Sequence, residues 1–269
     1  MKLSDYIDNL QSRGVITFTL PEALHSTGIT EAAFYNAVSR MKKSGRLIRP
    51  RQGFYVIVRL EDKAAGGPPP SHYIHQLMEY LGREYYIGLT SAAAMYGASH
   101  QAPQVLQVVT TSRLRPIREG RVPVHFIVSH KIDQTPTMLL KTPAGYVRVS
   151  TTEATAVDIV HYSKQAGGFN NISNILIELA AEDELDPKKL LHAASGMHDR
   201  ATAQRLGYLL DSLGFYRSVS LLADWLDKQK VTRIPLLASG PRKDVVHNRR
   251  WHVLVNYEIS PDISSGEPA

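Results

Sequence analysis

A short segment near the N-terminus combines side chains that can read the edges of DNA bases. On a helical wheel of residues 31–44, Phe34, Val38 and Met41 fall at i, i+4 and i+7 and form one apolar face. In the major groove, Asn pairs with adenine, Arg pairs with guanine, Ser bonds a base or a phosphate, and Ala contacts a thymine methyl. The candidate base-reading residues on the opposite face are Ala32, Asn36, Ser39, Arg40 and Lys43.

Further cations and a turn flank this face. Residues 1–60 hold nine Lys or Arg and four Asp or Glu, so much of the net charge of +6 is concentrated there. Arg51 and Gln52 lie in a turn whose tip could enter a minor groove. The alternative is a protein-binding module with solvated cations, but basic charge on both the helix and the turn favours DNA. The cations that suit phosphate contacts, which add affinity without specifying sequence, are Lys42, Arg46, Arg49 and Arg51.

The elements that must position these side chains form a winged helix-turn-helix. Apolar spacing predicts helices over 2–12 and 31–44, and Pro21 opens a brief helix between them. Two short helices across a Gly-containing turn are typical of a helix-turn-helix. Two β-rich runs around the turn Pro50-Arg51-Gln52-Gly53 then predict a hairpin, which would be the wing.

Length and composition favour two folded domains, since 269 residues with 43% hydrophobic and 21% charged side chains can bury more than one core. The Gly- and Pro-rich run at 61–70 is the predicted linker. We therefore expect an α+β protein with a winged helix-turn-helix at 1–60 and a larger domain at 71–269. That domain is predicted to comprise a mixed α/β part with a small sheet at 71–150, a mainly helical part at 151–259 and a disordered tail at 260–269. Strands are predicted at 104–111, 122–128, 145–150, 233–237 and 251–256.

The sequence lacks the residues that several classes of function require. With no cysteine, the chain has no disulfides, zinc–thiolate sites, iron–sulfur clusters or cysteine nucleophiles. The N-terminus carries acids where a signal peptide needs an apolar run, and no window approaches a membrane span, so we expect a cytoplasmic protein. No phosphate-binding loop, dinucleotide motif, HExxH or GxSxG occurs. We therefore predict no enzyme activity, no catalytic residue, no metal and no cofactor.

An enzymatic alternative stays open on weaker patterns. His72 and His75 have the spacing of two metal ligands on a helix, but no third ligand accompanies them. Four acids in 182–186 (Glu182, Asp183, Glu184 and Asp186) could hold metals in a nuclease, although such a run is more often a solvated turn. Base stacking or a structural aromatic cluster would explain Tyr80, Tyr85 and Tyr86. The alternative is a nucleic-acid-processing enzyme with a winged-helix specificity module.

Residues 44–55 read SGRLIRPRQGFY and connect the third predicted helix to the wing. This segment resembles the helix-to-wing pattern of the abortive-infection AbiEi antitoxin family. Residues 89–97 and 104–111 resemble its Ala-rich helix and the strand that follows, with Tyr96 where we expect His. These segments and the later ones span nearly the whole chain in the family's order. The segments that resemble its later helices are 151–158, 166–168 and 205–211.

The resemblance implies the antitoxin of a two-gene toxin–antitoxin cassette. Such a protein represses its own operon by binding double-stranded DNA through the winged helix. Because repressors commonly pair on symmetric operators, the expected site is an inverted repeat in its own promoter. The rest of the chain is expected to counteract a nucleotidyltransferase toxin, directly or indirectly.

A second basic run near the C-terminus is the candidate surface for that partner. Its long-range attraction suits an acidic toxin, or the nucleotide or RNA that the toxin uses. A merely solvated surface is the alternative. The candidate residues are Lys228, Lys230, Arg233, Arg242, Lys243, Arg249 and Arg250.

Overall fold

The computed structural model describes residues 1–98, 104–182 and 185–261, and most of the tail predicted at 260–269 lies outside this part. The chain packs as two compact units. Unit 1 comprises Met1–Ile87, Gln104–Ser129 and Leu139–Arg148. Unit 2 comprises Gly88–Pro103, His130–Met138 and Val149–Ala269. Neither unit is a single continuous segment, because the chain passes between them repeatedly.

Unit 1 begins with a winged helix-turn-helix. Its sheet has the order β1-β3-β2 with antiparallel neighbours. This confirms the predicted N-terminal fold and, with the helices and strands that follow, the α+β class. The elements are α1 (Leu3–Ser12), β1 (Thr17–Thr19), α2 (Leu20–Thr27), α3 (Glu31–Lys43), β2 (Leu47–Arg51) and β3 (Phe54–Ile57).

Local capping sets the turn between α2 and α3. Thr19 and Glu22 form a reciprocal capping box at the start of α2. Gly28, with φ of 68°, ends that helix in the left-handed conformation that glycine adopts without strain. The side chain of Thr30 then accepts from the backbone N–H of Ala33 and starts α3. Only three residues therefore separate the two helices.

Aromatic packing holds α3 on the sheet. Phe34 and Val38 are buried as predicted. The Phe34 ring meets the Tyr55 ring edge-on at 5.3 Å, and Tyr55 stacks on Phe18 at 5.2 Å. Since these contacts use one side of α3, its opposite side points outward.

The rest of unit 1 is built around α4 (Ile74–Tyr80) and a five-stranded sheet of order β6-β5-β4-β8-β7. In this sheet β5 is parallel to β6 and antiparallel to β4. A few residues of β7 and β8 belong to unit 2. The strands are β4 (Tyr85–Ile87), β5 (Leu106–Thr110), β6 (Val124–Val128), β7 (Thr137–Thr142) and β8 (Gly145–Ser150).

The segment predicted as a linker, residues 61–70, is folded into turns within unit 1. The backbone N–H of Gly67 donates to the Asp62 carbonyl at 3.0 Å. Gly67, Pro68 and Pro70 are buried. The division between the two compact units therefore does not fall at this segment, and the domain boundary there stays a prediction.

Unit 2 is mainly helical and carries a small sheet of order β10-β11-β9. In it β10 and β11 form an antiparallel hairpin, and β9 runs parallel to β11. Over the described residues, no helix is long and apolar enough to cross a membrane. The elements are α5 (Leu89–Met95), α6 (Thr152–His161), α7 (Phe169–Glu182), α8 (Pro187–Gly196), α9 (Arg200–Ser212), α10 (Ser220–Asp227), β9 (Ile234–Pro235), β10 (Val246–Asn248) and β11 (Val253–Val255).

A buried tryptophan fixes the hairpin of β10 and β11 on α9. The Trp251 side chain is fully buried, and its indole N–H donates to the Asp211 carboxylate at 2.8 Å. Gln204 of α9 donates to the Trp251 carbonyl at 3.1 Å. Gly207 leaves room for the ring, because a Cβ at this position would lie 2.0 Å from Cζ3 of Trp251. The basic residues of this hairpin are thus carried on a rigid support.

We predict that Gly207→Ala destabilises the protein, because the added methyl group overlaps the indole ring of Trp251. The expected loss is about 1–3 kcal/mol of the free energy of unfolding, even though alanine is the better helix former. Urea denaturation followed by circular dichroism measures it. The double variant Gly207→Ala/Trp251→Phe should lose less than the sum of the two single variants. Strict additivity would contradict the packing described.

Candidate nucleic-acid interface

The outer face of α3 presents the five predicted base-reading residues together. Their side chains are all exposed, on the side of the helix opposite Phe34 and Val38. Within residues 1–98, 104–182 and 185–261, none of the four polar members takes part in an ion pair. The residues are Ala32, Asn36, Ser39, Arg40 and Lys43.

Tyr35 adds an aromatic ring to the edge of this face, and the sequence analysis missed it. Its side chain is 38% exposed, although its ring contacts Phe34 edge-on at 5.6 Å. The helical wheel carries the signal, because Tyr35 lies one turn before Ser39. An exposed tyrosine beside polar residues can both stack and donate a hydrogen bond.

Two of the predicted phosphate-binding cations form ion pairs within the protein. Lys42 Nζ lies 2.9 Å from Glu119 Oε1. Arg46 Nη2 lies 2.6 Å from Asp8 Oδ1. Both pairs are partly exposed, so water screens them, and a phosphate would compete with the carboxylate in each.

Arg51 is held still more firmly. Its guanidinium donates to the carbonyls of Pro50 and Arg115 and lies 5.4 Å from the centroid of the Phe126 ring. Burial lowers the pKa of Arg51 from its ordinary value. Entry of Arg51 into a minor groove would require breaking these contacts.

The tip of the wing is held in the same way. Tyr80 of α4 donates to the Gln52 carbonyl at 3.1 Å and packs on Phe54 with ring centroids 5.5 Å apart. The side chain of Gln52 is exposed. Arg49 is also exposed, beside the hydroxyl of Tyr55. Arg49 and Gln52 are thus the exposed members of the predicted flanking group, whereas Lys42, Arg46 and Arg51 are half-buried.

The three tyrosines considered as stacking residues occupy structural positions. Tyr85 and Tyr86 are buried, and burial raises the pKa of Tyr85 to about 12. Tyr80 supports the wing. This arrangement favours the structural interpretation of the tyrosines over a base-stacking platform.

Of the two histidines considered as metal ligands, His75 has other partners. His75 Nδ1 lies 3.2 Å from the Tyr85 hydroxyl, and its Nε2 lies 3.6 Å from Glu79. Burial lowers the pKa of His72. No group of three or more His, Asp or Glu side chains in the described part of the chain could hold a metal ion.

A second arginine-rich element lies beside the wing. The segment between β5 and β6 carries one acid, Glu119, among four exposed arginines. Within this segment, a Cβ at Gly120 would lie 3.0 Å from Cδ1 of Ile48 in β2, so the backbones approach closely. The sequence analysis did not single it out, although four arginines in nine residues were a readable signal. We call it the arginine loop, defined by Arg113, Arg115, Arg118 and Arg121.

A cavity in unit 2 bears on the enzymatic alternative. Its volume is about 430 Å³, and Asp199 is its acidic residue. The Asp199 carboxylate accepts from the backbone of Ala201 at 3.0 Å and from the Thr202 hydroxyl at 2.6 Å, and lies 3.0 Å from His161 Nδ1. The bond to His161 is the main cause of a pKa of Asp199 far below its usual range. The Asp199 carboxylate thus caps the N-terminus of α9 and holds the His161 ring. The cavity is lined by Ser195, His198, Asp199, Arg200, Ala201, Trp225 and Gln229.

The acidic run at 182–186 is only partly described. Asp183 and Glu184 lie outside the described residues, as does the side chain of Glu182. Asp186 caps α8 by accepting from the backbone N–H groups of Lys188 and Lys189 at 2.8 and 3.0 Å. These bonds lower the pKa of the Asp186 carboxyl. Asp186 thus has a structural role at the start of a helix.

The C-terminal basic run is exposed at all seven predicted positions, which occupy the end of α10 and the loops and hairpin of the small sheet. Arg250 is tied down, since it pairs with Asp211 at 2.9 Å and lies over the Trp251 ring. Arg233 and Arg249 lie close enough to His247 to act on it electrostatically. Burial first, then these positive neighbours, lowers the pKa of His247. The structure thus concentrates positive charge around His247.

Two family models match this chain, one over the winged helix and one over the region that follows it. Residues 5–58 match the family described as transcriptional regulator, AbiEi antitoxin, and residues 86–212 match the AbiEi antitoxin C-terminal domain. The chain belongs to the AbiEi antitoxin family. The resemblance found in the sequence is thereby confirmed. AbiEi proteins are antitoxins and transcriptional regulators, not a family of enzymes.

One solved structure supports the fold of this AbiEi-family chain. The RV2827C protein from Mycobacterium tuberculosis is similar with a TM-score of 0.66 and 18% identity, over 93% of this chain and 90% of that one. An antigenic nucleotidyltransferase-like protein from Paracoccidioides brasiliensis reaches a TM-score of 0.35 and 10% identity, over 57% of this chain and 89% of that one. The second likeness is too small to bear on fold or function. No curated protein matches the chain.

The contacts of Arg51 predict a difference from its neighbour Arg49. Arg51→Ala should lower the free energy of unfolding by about 1–2 kcal/mol, because it removes a charged hydrogen-bond donor and a cation–π contact. Arg49→Ala, at an exposed position two residues earlier, should change it by less than about 0.5 kcal/mol. Urea denaturation of both variants gives the comparison. Equal losses would show that the contacts of Arg51 do not hold the wing.

Proposed function

We propose that this AbiEi-family protein represses its own operon by binding double-stranded DNA at an inverted repeat in the promoter. The observation that carries the proposal is the exposed polar face of α3, whose other face is buried in an aromatic core. A rigid recognition helix with such a face suits the major groove. Two copies on a symmetric operator would each bind one half-site.

Each residue of the face has a role that follows from its chemistry. Asn36 would pair with adenine and Arg40 with guanine, each through two hydrogen bonds. Ser39 and Lys43 would bond bases or phosphates on either side, and Ala32 would contact a thymine methyl. Arg49 and Gln52 would meet the DNA backbone from the wing. Lys42, Arg46 and Arg51 would contribute charge, but their bonds within the protein limit direct contacts.

The first prediction for this function concerns base reading. Asn36→Ala or Arg40→Ala should cost about 1–3 kcal/mol of binding to the promoter and relax the base preference at one position. The triple variant with alanine at 36, 40 and 43 should lose specific binding. Titration of labelled promoter DNA against unrelated DNA measures both effects. Lys188→Ala/Lys189→Ala removes the same charge from an exposed part of α8 and is the control. Wild-type affinity in the triple variant would rule out the reading face.

We also propose that the chain counteracts a nucleotidyltransferase toxin through the region after the winged helix, within the cytoplasm and without an enzymatic activity, metal or cofactor of its own. The match of residues 86–212 to the antitoxin C-terminal domain supports the antitoxin part. The exposed cations around His247 are the proposed surface for an acidic partner or for the RNA or nucleotide that the toxin uses. The match to families described as antitoxin and transcriptional regulator supports the absence of an enzymatic activity.

Growth rescue separates neutralisation from repression. The full-length triple variant with alanine at 36, 40 and 43, expressed from a heterologous promoter, should protect cells that express the toxin as well as the wild type does. The full chain is needed because unit 1 contains both the winged helix and most of the five-stranded sheet. Arg233→Ala/Arg249→Ala should protect less well and still bind DNA. Arg250 is left intact because it pairs with Asp211. Rescue only by variants that bind DNA would show that protection is transcriptional.

A further inference from the structure

We propose that the arginine loop is a second DNA-contacting element, which binds backbone phosphates beside the groove that α3 occupies. This inference rests on the proposed DNA-binding function and adds a surface outside the winged helix. The four arginines of the loop are exposed, and the loop lies between β5 and β6 in the same compact unit as α3.

The positive charge of the arginine loop is exposed, and few acidic groups of the protein neutralise it. Its one acid, Glu119, is paired with Lys42 at 2.9 Å. Within residues 1–98, 104–182 and 185–261, the side chains of the four arginines form no ion pair or hydrogen bond. An arginine side chain without such a partner offers five N–H donors to phosphate oxygens.

Two anchors connect the loop to the DNA-reading part of the molecule. Lys42, in the last turn of α3, holds the loop through Glu119. Arg51, at the end of β2, holds it through the carbonyl of Arg115. Because the carbonyl of Arg115 makes the second contact, the side chain of Arg115 stays exposed.

Close packing between these anchors makes the loop rigid. Ile117 is 2% exposed and exchanges two backbone hydrogen bonds of 2.9 Å with Val124. Gly120 lies against Ile48, where a Cβ would come within 3.0 Å of the isoleucine Cδ1. A loop fixed in this way loses little conformational freedom when it binds, so its charges act efficiently.

The anchors also account for two of the three flanking cations that form bonds within the protein. Lys42 and Arg51 would be phosphate ligands by sequence, but they bond to the loop. The arginine side chains that they hold in place take over the phosphate contacts on this side of α3. DNA is favoured over a protein partner because the loop is continuous with the basic winged helix through both anchors.

The test is the quadruple variant with alanine at 113, 115, 118 and 121, compared with wild type on promoter and unrelated duplexes over a salt series. We expect affinity to fall at least tenfold on both duplexes with the base preference unchanged. The slope of log affinity against log salt should shrink by about two to four units, because each phosphate contact contributes about 0.9. The control with alanine at Lys164, Lys188, Lys189 and Arg217 removes the same charge from exposed positions of unit 2.

Two further measurements show whether the loss of DNA affinity comes from direct contact between the loop and DNA. Replacement of the four arginines by lysine should keep most of the affinity and salt slope, since phosphate contacts depend mainly on charge. Phosphate ethylation should interfere with wild-type binding at positions that no longer matter in the alanine variant. Circular dichroism melting shows whether each variant is folded, and loss of affinity in the lysine variant would indicate a structural role and overturn the proposal.

The outcomes separate this inference from the proposed function. If the triple variant of α3 binds the promoter like wild type, the proposed function is wrong. If that variant loses specific binding but the arginine-loop variant behaves like its charge-matched control, only the role of the loop is wrong. An arginine-loop variant that keeps DNA affinity but fails to protect against the toxin would likewise overturn the DNA role and assign the loop to the partner.

Discussion

Burial of one face of α3 against Tyr55 and Phe18 is the constraint on which the DNA-reading surface depends. A helix that commits Phe34 and Val38 to a core must turn its other side outward, and there the side chains are small, polar or basic. The aromatic contacts also fix the rotation of the helix about its axis. Base reading requires that rotation to be fixed, because a bidentate contact depends on the direction of the side chain as well as on its identity.

Some of the cations around this face bond to other groups of the protein, and others are exposed to solvent. Lys42, Arg46 and Arg51 look alike in sequence, yet each has an intramolecular partner, whereas Arg49 is exposed. A cation that is already paired must exchange one partner for another when DNA arrives, so its net gain is smaller than that of a solvated cation. The number of basic residues near a recognition helix is therefore a poor measure of its phosphate contacts.

Local patterns predicted the winged helix well, and long-range contacts explain what they missed. The stripe of Phe34, Val38 and Met41 and the turn after Pro50 depend on neighbouring residues, which a helical wheel or turn preference can read. The partners of Arg51 lie at Arg115 and Phe126, far along the chain, and no local pattern reveals them. The sequence analysis missed the short strand β4 for the same reason, because its three residues form a strand only by pairing with β5. Gly67, Pro68 and Pro70 likewise have a linker composition but are buried, and Gly67 lies against Ile48.

Unit 1 ties the winged helix to the sheet, and this affects how the two proposed activities can be studied. The DNA-facing residues and the arginine loop all belong to unit 1, whereas the basic residues near His247 belong to unit 2. Removal of the first 70 residues would strip Ile48 and Arg51 from the segments they pack on and leave buried groups of unit 1 without partners. Exposed side chains can instead be changed with little effect on either core. Surface substitutions in the intact chain are therefore the appropriate way to separate repression from neutralisation.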